Sequence, residues 1–288
     1  MIVTPPPAPQ GIPLETLLSR SWELFKRNWI VALPPVIAMV VVLAGVAVIF
    51  AAVIVAVFAH GLARSAPSPQ VGGGFFAGIL IFMGLALVVT IWSQVAMFGM
   101  ADAAWAKGTA TFADGFAAFR ARGGALVVAM IGIFGLAVAA LILFFPTLGL
   151  SFLALPLFTM YVLPSVVTGG RDGFAAIGES FNLVKRFFGP SAIVLLVLLA
   201  IQYGISMLAS APLFPIQFAI VSSAGQGTQP QLPAPGLLVF AGVWFVLAMV
   251  VAQAYVGFYT IAIVGMYRSL FAQPVMGQPP GPGEIVLA

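Results

Sequence analysis

The sequence predicts an all-α integral membrane protein with six transmembrane helices, arranged as three repeats of an interfacial amphipathic helix followed by a helical hairpin. Three observations carry that expectation. Residues 28–63, 65–101, 123–170 and 187–267 contain no Asp, Glu, Lys or Arg. Hydrophobic residues make up 62% of the 288-residue chain and charged ones 6%, against roughly 25% charged in ordinary globular domains. A surface so poor in charge is solvated by lipid rather than water. Finally, a short aromatic-and-basic pattern recurs ahead of the first, third and fifth spans.

Taken in order, residues 1–13 carry prolines at 5, 6, 7, 9 and 13 and read as a flexible tail. They lack the basic segment leading into a short apolar run that marks a cleavable signal peptide. Residues 14–268 form a single membrane domain. Residues 269–288, ending QPVMGQPPGPGEIVLA, read as a second flexible tail. Crossing the hydrocarbon layer takes about 20 apolar residues. The 36- and 37-residue uncharged stretches therefore hold one span each, and the 48- and 81-residue stretches hold two each. Spans fall near 31–58, 75–101, 124–145, 150–169, 190–211 and 236–266. Continuous apolar runs of this length favour helices over alternating barrel strands. Turn residues mark the breaks: SAPSPQVGGG at 65–74, FPTLG at 145–149 and GQGTQPQLPAPG at 225–236. Pro156 and Pro164 should bend span 4, and Pro212 and Pro215 should end span 5.

Orientation follows from the basic residues. With both termini cytoplasmic, the inner segments hold ten of the eleven Lys and Arg, and the outer loops hold only Arg64. All seven acids fall on the same side. The expected location is the plasma (inner) membrane, multi-pass. The net charge of +4 then reflects membrane orientation, with no nucleic acid as partner.

The recurring pattern is a small residue, an aromatic, two further residues, an apolar residue and a base. It reads Ser21-Trp22…Phe25-Lys26, Gly115-Phe116…Phe119-Arg120 and Ser180-Phe181…Val184-Lys185. Helical spacing gathers Leu14, Leu18, Trp22, Phe25 and Trp29 on one face, with Phe112, Phe116 and Phe119 forming a second such face. Phe174, Ile177, Phe181, Val184 and Phe188 form the third. Thr111 and Asp114 have the spacing of a capping box that opens the middle copy. Such helices suit the headgroup boundary, where Lys26, Arg27, Arg120, Arg122, Lys185 and Arg186 would bind anionic lipid headgroups. The plainer alternative is that they are ordinary basic flanks that happen to be helical.

The motif S-W/F-x-L-x-K-R leading into a span, within a six-span chain, resembles a broad group of bacterial inner-membrane proteins. That group includes the membrane domain attached to some glycerophosphoryl diester phosphodiesterases. The resemblance covers roughly 14–268 and implies a membrane fold. The phosphodiesterase barrel has no counterpart in this sequence, so no activity and no catalytic residues are implied.

Candidates for chemistry are few. His60 is the single histidine and there is no cysteine, so multi-histidine metal or haem sites, thiolate sites and disulfides are excluded. His60 reads as an interfacial residue near Arg64. Asp102, one residue past an uncharged run, should pair at the interface with Lys107 or a neighbouring Arg rather than serve a proton relay. No catalytic residues, metal or cofactor are expected. Gln94, Gln202, Gln253, Tyr259 and Thr260 are polar but uncharged, and either line a cavity or bond between packed helices. The spacings Gly74/Gly78 and Gly135/Ala139 would permit close helix approach. The leading reading is a non-catalytic membrane protein that packs with lipids or other membrane subunits, in support of envelope or lipid metabolism. The alternative is a carrier or channel for a small neutral or amphiphilic solute.

Overall fold

The computed structural model of the chain describes residues 13–63, 69–214 and 235–271. Arg64, Pro215, residues 1–12 and 272–288 and the side chain of His60 lie outside what is described; residues 269–271, expected to belong to the second tail, are helical. Among the described residues there are helices and turns but no strand. Helix α1 covers Leu14–Arg27, α2 Leu33–Ala63, α3 Pro69–Lys107, α4 Phe112–Ile142 and α5 Leu150–Thr159. The chain continues through α6, Val162–Val167, α7, Gly173–Arg186, α8, Phe188–Ser210, and α9, Pro235–Phe271. Among the described residues six segments are long and apolar enough to cross a membrane: Trp29–Val55, Phe76–Lys107, Phe112–Ile142, Leu150–Val167, Phe188–Ser210 and Val239–Leu270. The protein is an all-α, multi-pass membrane fold.

One end of the bundle collects the α1–α2, α3–α4, α6–α7 and α7–α8 junctions and the close of α9. It is called the basic end here, because the ten described Lys and Arg residues lie at or near it. The core is concentrated there. One buried cluster joins Leu17 of α1, Tyr161, Val184 of α7, Leu198 of α8 and Met266 of α9. A second joins Val31, Met100 and Ile261, and a third joins Val95, Leu126, Val166 and Ala176.

The first and third copies of the repeat fold alike. Helices α1 and α7 are each 14 residues long and each ends in a basic pair. Each then breaks at a single residue of nearly the same geometry, Asn28 (φ −124°, ψ 41°) and Phe187 (φ −122°, ψ 44°). Prolines follow in both cases, Pro34 and Pro35 in one and Pro190 in the other. Proline lacks a backbone donor and its ring excludes the carbonyl four residues back, Arg186 for Pro190 and Ile30 and Val31 for Pro34 and Pro35. Helix α7 therefore cannot run on into α8, and Trp29–Ala32 form a 3-10 turn before α2 begins.

The middle copy departs from the expectation of a separate interfacial helix. Residues 112–123 run straight into the span as part of the 31-residue α4. The reason is visible in the sequence: no proline occurs between 103 and 145. The expected capping box at its start is present, with the Thr111 hydroxyl accepting from Asp114 N–H and the Asp114 carboxylate accepting from Thr111 N–H. All three copies still share one packing feature, for the small residue of the motif is buried each time: Ser21, Gly115 and Ser180. At Gly115 a β-carbon would fall 3.0 Å from Ala96 Cβ, so glycine lets α4 lie directly on α3. The spacings singled out from sequence do not act this way, since Gly78 and Gly135 face open space.

Span 4 is broken rather than bent. Helix α5 stops at Thr159 and α6 starts at Val162. Pro164 explains the position, because its ring excludes the carbonyl four residues back, at Met160, and offers that carbonyl no donor. The exposed backbone is repaired from α7. The Ser180 hydroxyl donates to Phe158 O (2.7 Å) and accepts from Tyr161 N–H (3.2 Å).

Candidate functional site

The basic end combines fixed and free charge. Three ion pairs fix it: Arg268 with Asp102 (2.7 Å), Lys107 with Asp114 (2.7 Å) and Arg171 with Glu179 (2.9 Å). Asp102 receives both Nε and Nη2 of Arg268, tying the end of α9 to α3. Arg268, not Lys107, is its partner. Glu179 was not singled out from sequence, yet it gathers donors from three directions. Its carboxylate accepts from Ser165 (2.6 Å), Arg171 and Tyr267 (3.2 Å). A carboxylate so engaged holds α6, α7 and α9 together and is poorly placed to act as a base. Asn28, 4% exposed, does the same for the α1–α2 break. Its amide donates to Leu24 O and Gly108 O, and its Oδ1 accepts from Ala110 N–H.

The six candidate headgroup-binding residues divide into two groups. Arg122 donates to Gly170 O (3.0 Å), and the Arg186 guanidinium lies 5.0 Å from the Phe187 ring. Lys26, Arg27, Arg120 and Lys185 have no carboxylate partner among the described residues. The aromatic faces of the repeats dock on the spans in part. Phe25 and Trp22 both contact Phe258 of α9, and Phe181 stacks on Phe158 at 4.8 Å. Trp22, Trp29, Phe116, Phe174 and Phe188 nonetheless keep about half or more of their surface exposed.

Further into the bundle, the α5–α6 break opens a cavity of about 320 Å³. Gln94, Gln202, Tyr259 and Thr260, four of the five polar residues considered from sequence, line it. Thr159 and Pro156 of α5 join them, as do apolar side chains including Met97, Ile133 and Val256. Gln253 is not part of it; its amide faces Met39 Sδ of α2 at 3.7 Å. Thr260 lies eight residues before Arg268 on α9, about 12 Å at 1.5 Å per residue. Gln94 lies thirteen before Lys107 on α3, about 20 Å by the same rise. The cavity therefore lies about 12–20 Å along the helices from these basic residues, within the span of a hydrocarbon layer about 30 Å thick.

Its polar groups differ in what they leave free. Thr260 donates to Val256 O and Thr159 to Leu155 O, so each presents only lone pairs to the cavity. Gln94, Gln202 and the Tyr259 hydroxyl make no hydrogen bond among the described residues. No lining residue carries a charge. Such a wall can hold a neutral hydrogen-bonding group, but it offers no counter-charge to an ion and no nucleophile–base pair. Comparison with family models, with curated proteins and with solved structures finds no match.

Proposed function

We propose that the protein is a non-catalytic multi-pass protein of the plasma (inner) membrane, with both termini cytoplasmic, that packs with lipids or with other membrane subunits. The observation that supports this best is the set Lys26, Arg27, Arg120 and Lys185, which has no carboxylate partner among the described residues and lies at one end of the bundle among half-exposed aromatic side chains. Aromatic rings and basic side chains at the same level suit the interface, where rings sit at headgroup depth and cations meet anionic lipid. Each such cation contributes about 1 kcal/mol near an anionic surface and is screened by salt. Supporting envelope or lipid metabolism is the role that fits a protein of this kind.

The test replaces Lys26, Arg27, Lys185 and Arg186 with Gln and measures retained phosphatidylglycerol after mild detergent extraction. The reading predicts a clear loss that high salt reproduces in the unaltered protein. Unchanged retention would remove the headgroup role. Reporter fusions at 110, 172 and 280 should report the cytoplasmic side and those at 68, 147 and 230 the opposite side. A second reading, a carrier for a small neutral or amphiphilic solute, draws on the mid-bundle cavity.

A further inference from the structure

We propose that the cavity at the α5–α6 break is a binding site for the uncharged, hydroxyl- or ester-bearing head of a lipid-borne amphiphile, of the diacylglycerol class. The inference bears on the same cavity as the carrier reading but does not need transport. Binding at equilibrium is what its test reads, so a failed flux assay and failed binding are separate results.

The wall chemistry sets the ligand's polarity. Gln94 and Gln202 bring amide donors and acceptors that nothing else in the described residues satisfies, and Tyr259 adds a hydroxyl. Thr159 and Thr260 have already donated to their own helices and can only accept. A group that both donates and accepts meets all five, as a glycerol hydroxyl beside ester carbonyls does. Polar groups facing hydrocarbon without a partner are costly, so a ligand of that kind is stabilised here. Charged heads are disfavoured, because the wall carries neither sign to balance them.

Size and access set the rest. At about 320 Å³ the cavity stands at the lower end of the roughly 300–1,000 Å³ range of small-molecule pockets, enough for a compact head and not for a whole lipid. Towards the basic end the way is closed by fully buried side chains, Tyr161, Ile263, Met266 and Tyr267 among them. Away from it, Gln202 is exposed, and α8 presents Leu208 and Met207 at 70% exposure. A ligand arriving sideways from the bilayer, its acyl chains lying along such surfaces, meets no packed layer among the described residues. A polyol dissolved in water at the basic end would meet one.

The test uses the full chain in phosphatidylcholine nanodiscs doped with a photoreactive, diazirine-bearing dioleoylglycerol. After irradiation, peptides carrying label are mapped by mass spectrometry. Label is expected on peptides containing Met97, Met160 or Val256, reduced several-fold by excess unlabelled dioleoylglycerol and little by dioleoylphosphatidic acid or glycerol. The double variant Gln94→Leu/Gln202→Leu and the cavity-filling Val256→Trp should each lose labelling several-fold while helicity and elution profile stay unchanged. Equal displacement by phosphatidic acid would overturn the neutral head, and displacement by glycerol would overturn the lipid source. Labelling unaffected by both variants would overturn the site. Should neither variant fold, the competition series on the unaltered chain decides alone.

Discussion

The two halves of this bundle are built from the same apolar residues and are packed in different ways. In the basic half, side chains such as Leu17, Val31, Met100, Leu126, Leu198, Ile261 and Met266 are at most 1% exposed. In the other half, Val48, Phe50, Ile81, Phe134, Met207 and Val239 are 66–73% exposed. Among the described side chains, buried positions stop at Ala38 on α2, begin only at Ile91 on α3, and resume at Tyr255 on α9 after Ala241. Hydrophobicity does not separate the halves. What separates them is that α1, α6 and α7 pack only around the basic half, supplying the small residues and polar side chains that interlock the spans there. The far half has fewer such contacts, among them the Trp244 indole N–H donating to Ala209 O, the Ser151 hydroxyl donating to Ala140 O and Gly45 lying against Phe82. Lipid is as apolar as leucine, so with so few the helices have less reason to close on one another.

That difference can be broken first where α7 lies directly on the backbone of α4. Helix α7 begins at Gly173, where a β-carbon would lie 2.6 Å from Ala125 O and from Ala129 N on α4. Gly173→Leu should cost about 3 kcal/mol, near the top of the overpacking range, and lower the thermal midpoint in mild detergent accordingly. Gly78→Leu and Gly135→Leu, whose surroundings are open, should leave the midpoint almost unchanged. Equal losses at all three positions would mean that the halves are packed alike.

A smaller effect is expected at Asn28, whose side chain makes three hydrogen bonds across the α1–α2 break and the α3–α4 loop. Asn28→Ala removes the side-chain partner of Gly108 O and Ala110 N–H, which are at most half-buried, and should cost about 1 kcal/mol, read from the same melting curves. Gln253→Leu, which removes only a 3.7 Å contact with a methionine sulfur, should cost about 0.5 kcal/mol or less.

Much of this architecture is legible in the sequence because charge is so scarce. Islands of Lys, Arg, Asp and Glu mark where the chain leaves the apolar layer, and Pro164 marks where span 4 breaks. The fusion of the middle amphipathic segment into α4 is legible too, through the missing proline, although the shared motif points to a separate helix. Glu179 was harder to find. It occupies the place that Arg20 holds in the first copy, and Arg20 instead lies 4.9 Å from the Trp105 ring. Only the path of α6 and α9 past Glu179 gives it Ser165 and Tyr267. The cavity shows the same limit. Gln253 and Thr260 share a helical face, yet seven residues separate them by about 10 Å along the axis, so one reaches α2 and the other the cavity. Periodicity gives the face a residue occupies, while depth depends on how neighbouring helices are broken and stacked.

The chain contains no cysteine, so single cysteines can be introduced without background and spin-labelled. Labels at Val48, Ile81 and Met207 should be compared with labels at Met100, Leu198 and Ile261 in phosphatidylcholine–phosphatidylglycerol nanodiscs, reading relaxation by dissolved oxygen. High oxygen accessibility at the first three positions and low accessibility at the second three is the result predicted for a bundle packed at its basic end and solvated by lipid elsewhere. Low accessibility at all six positions would contradict it, because the far half would then be covered by protein.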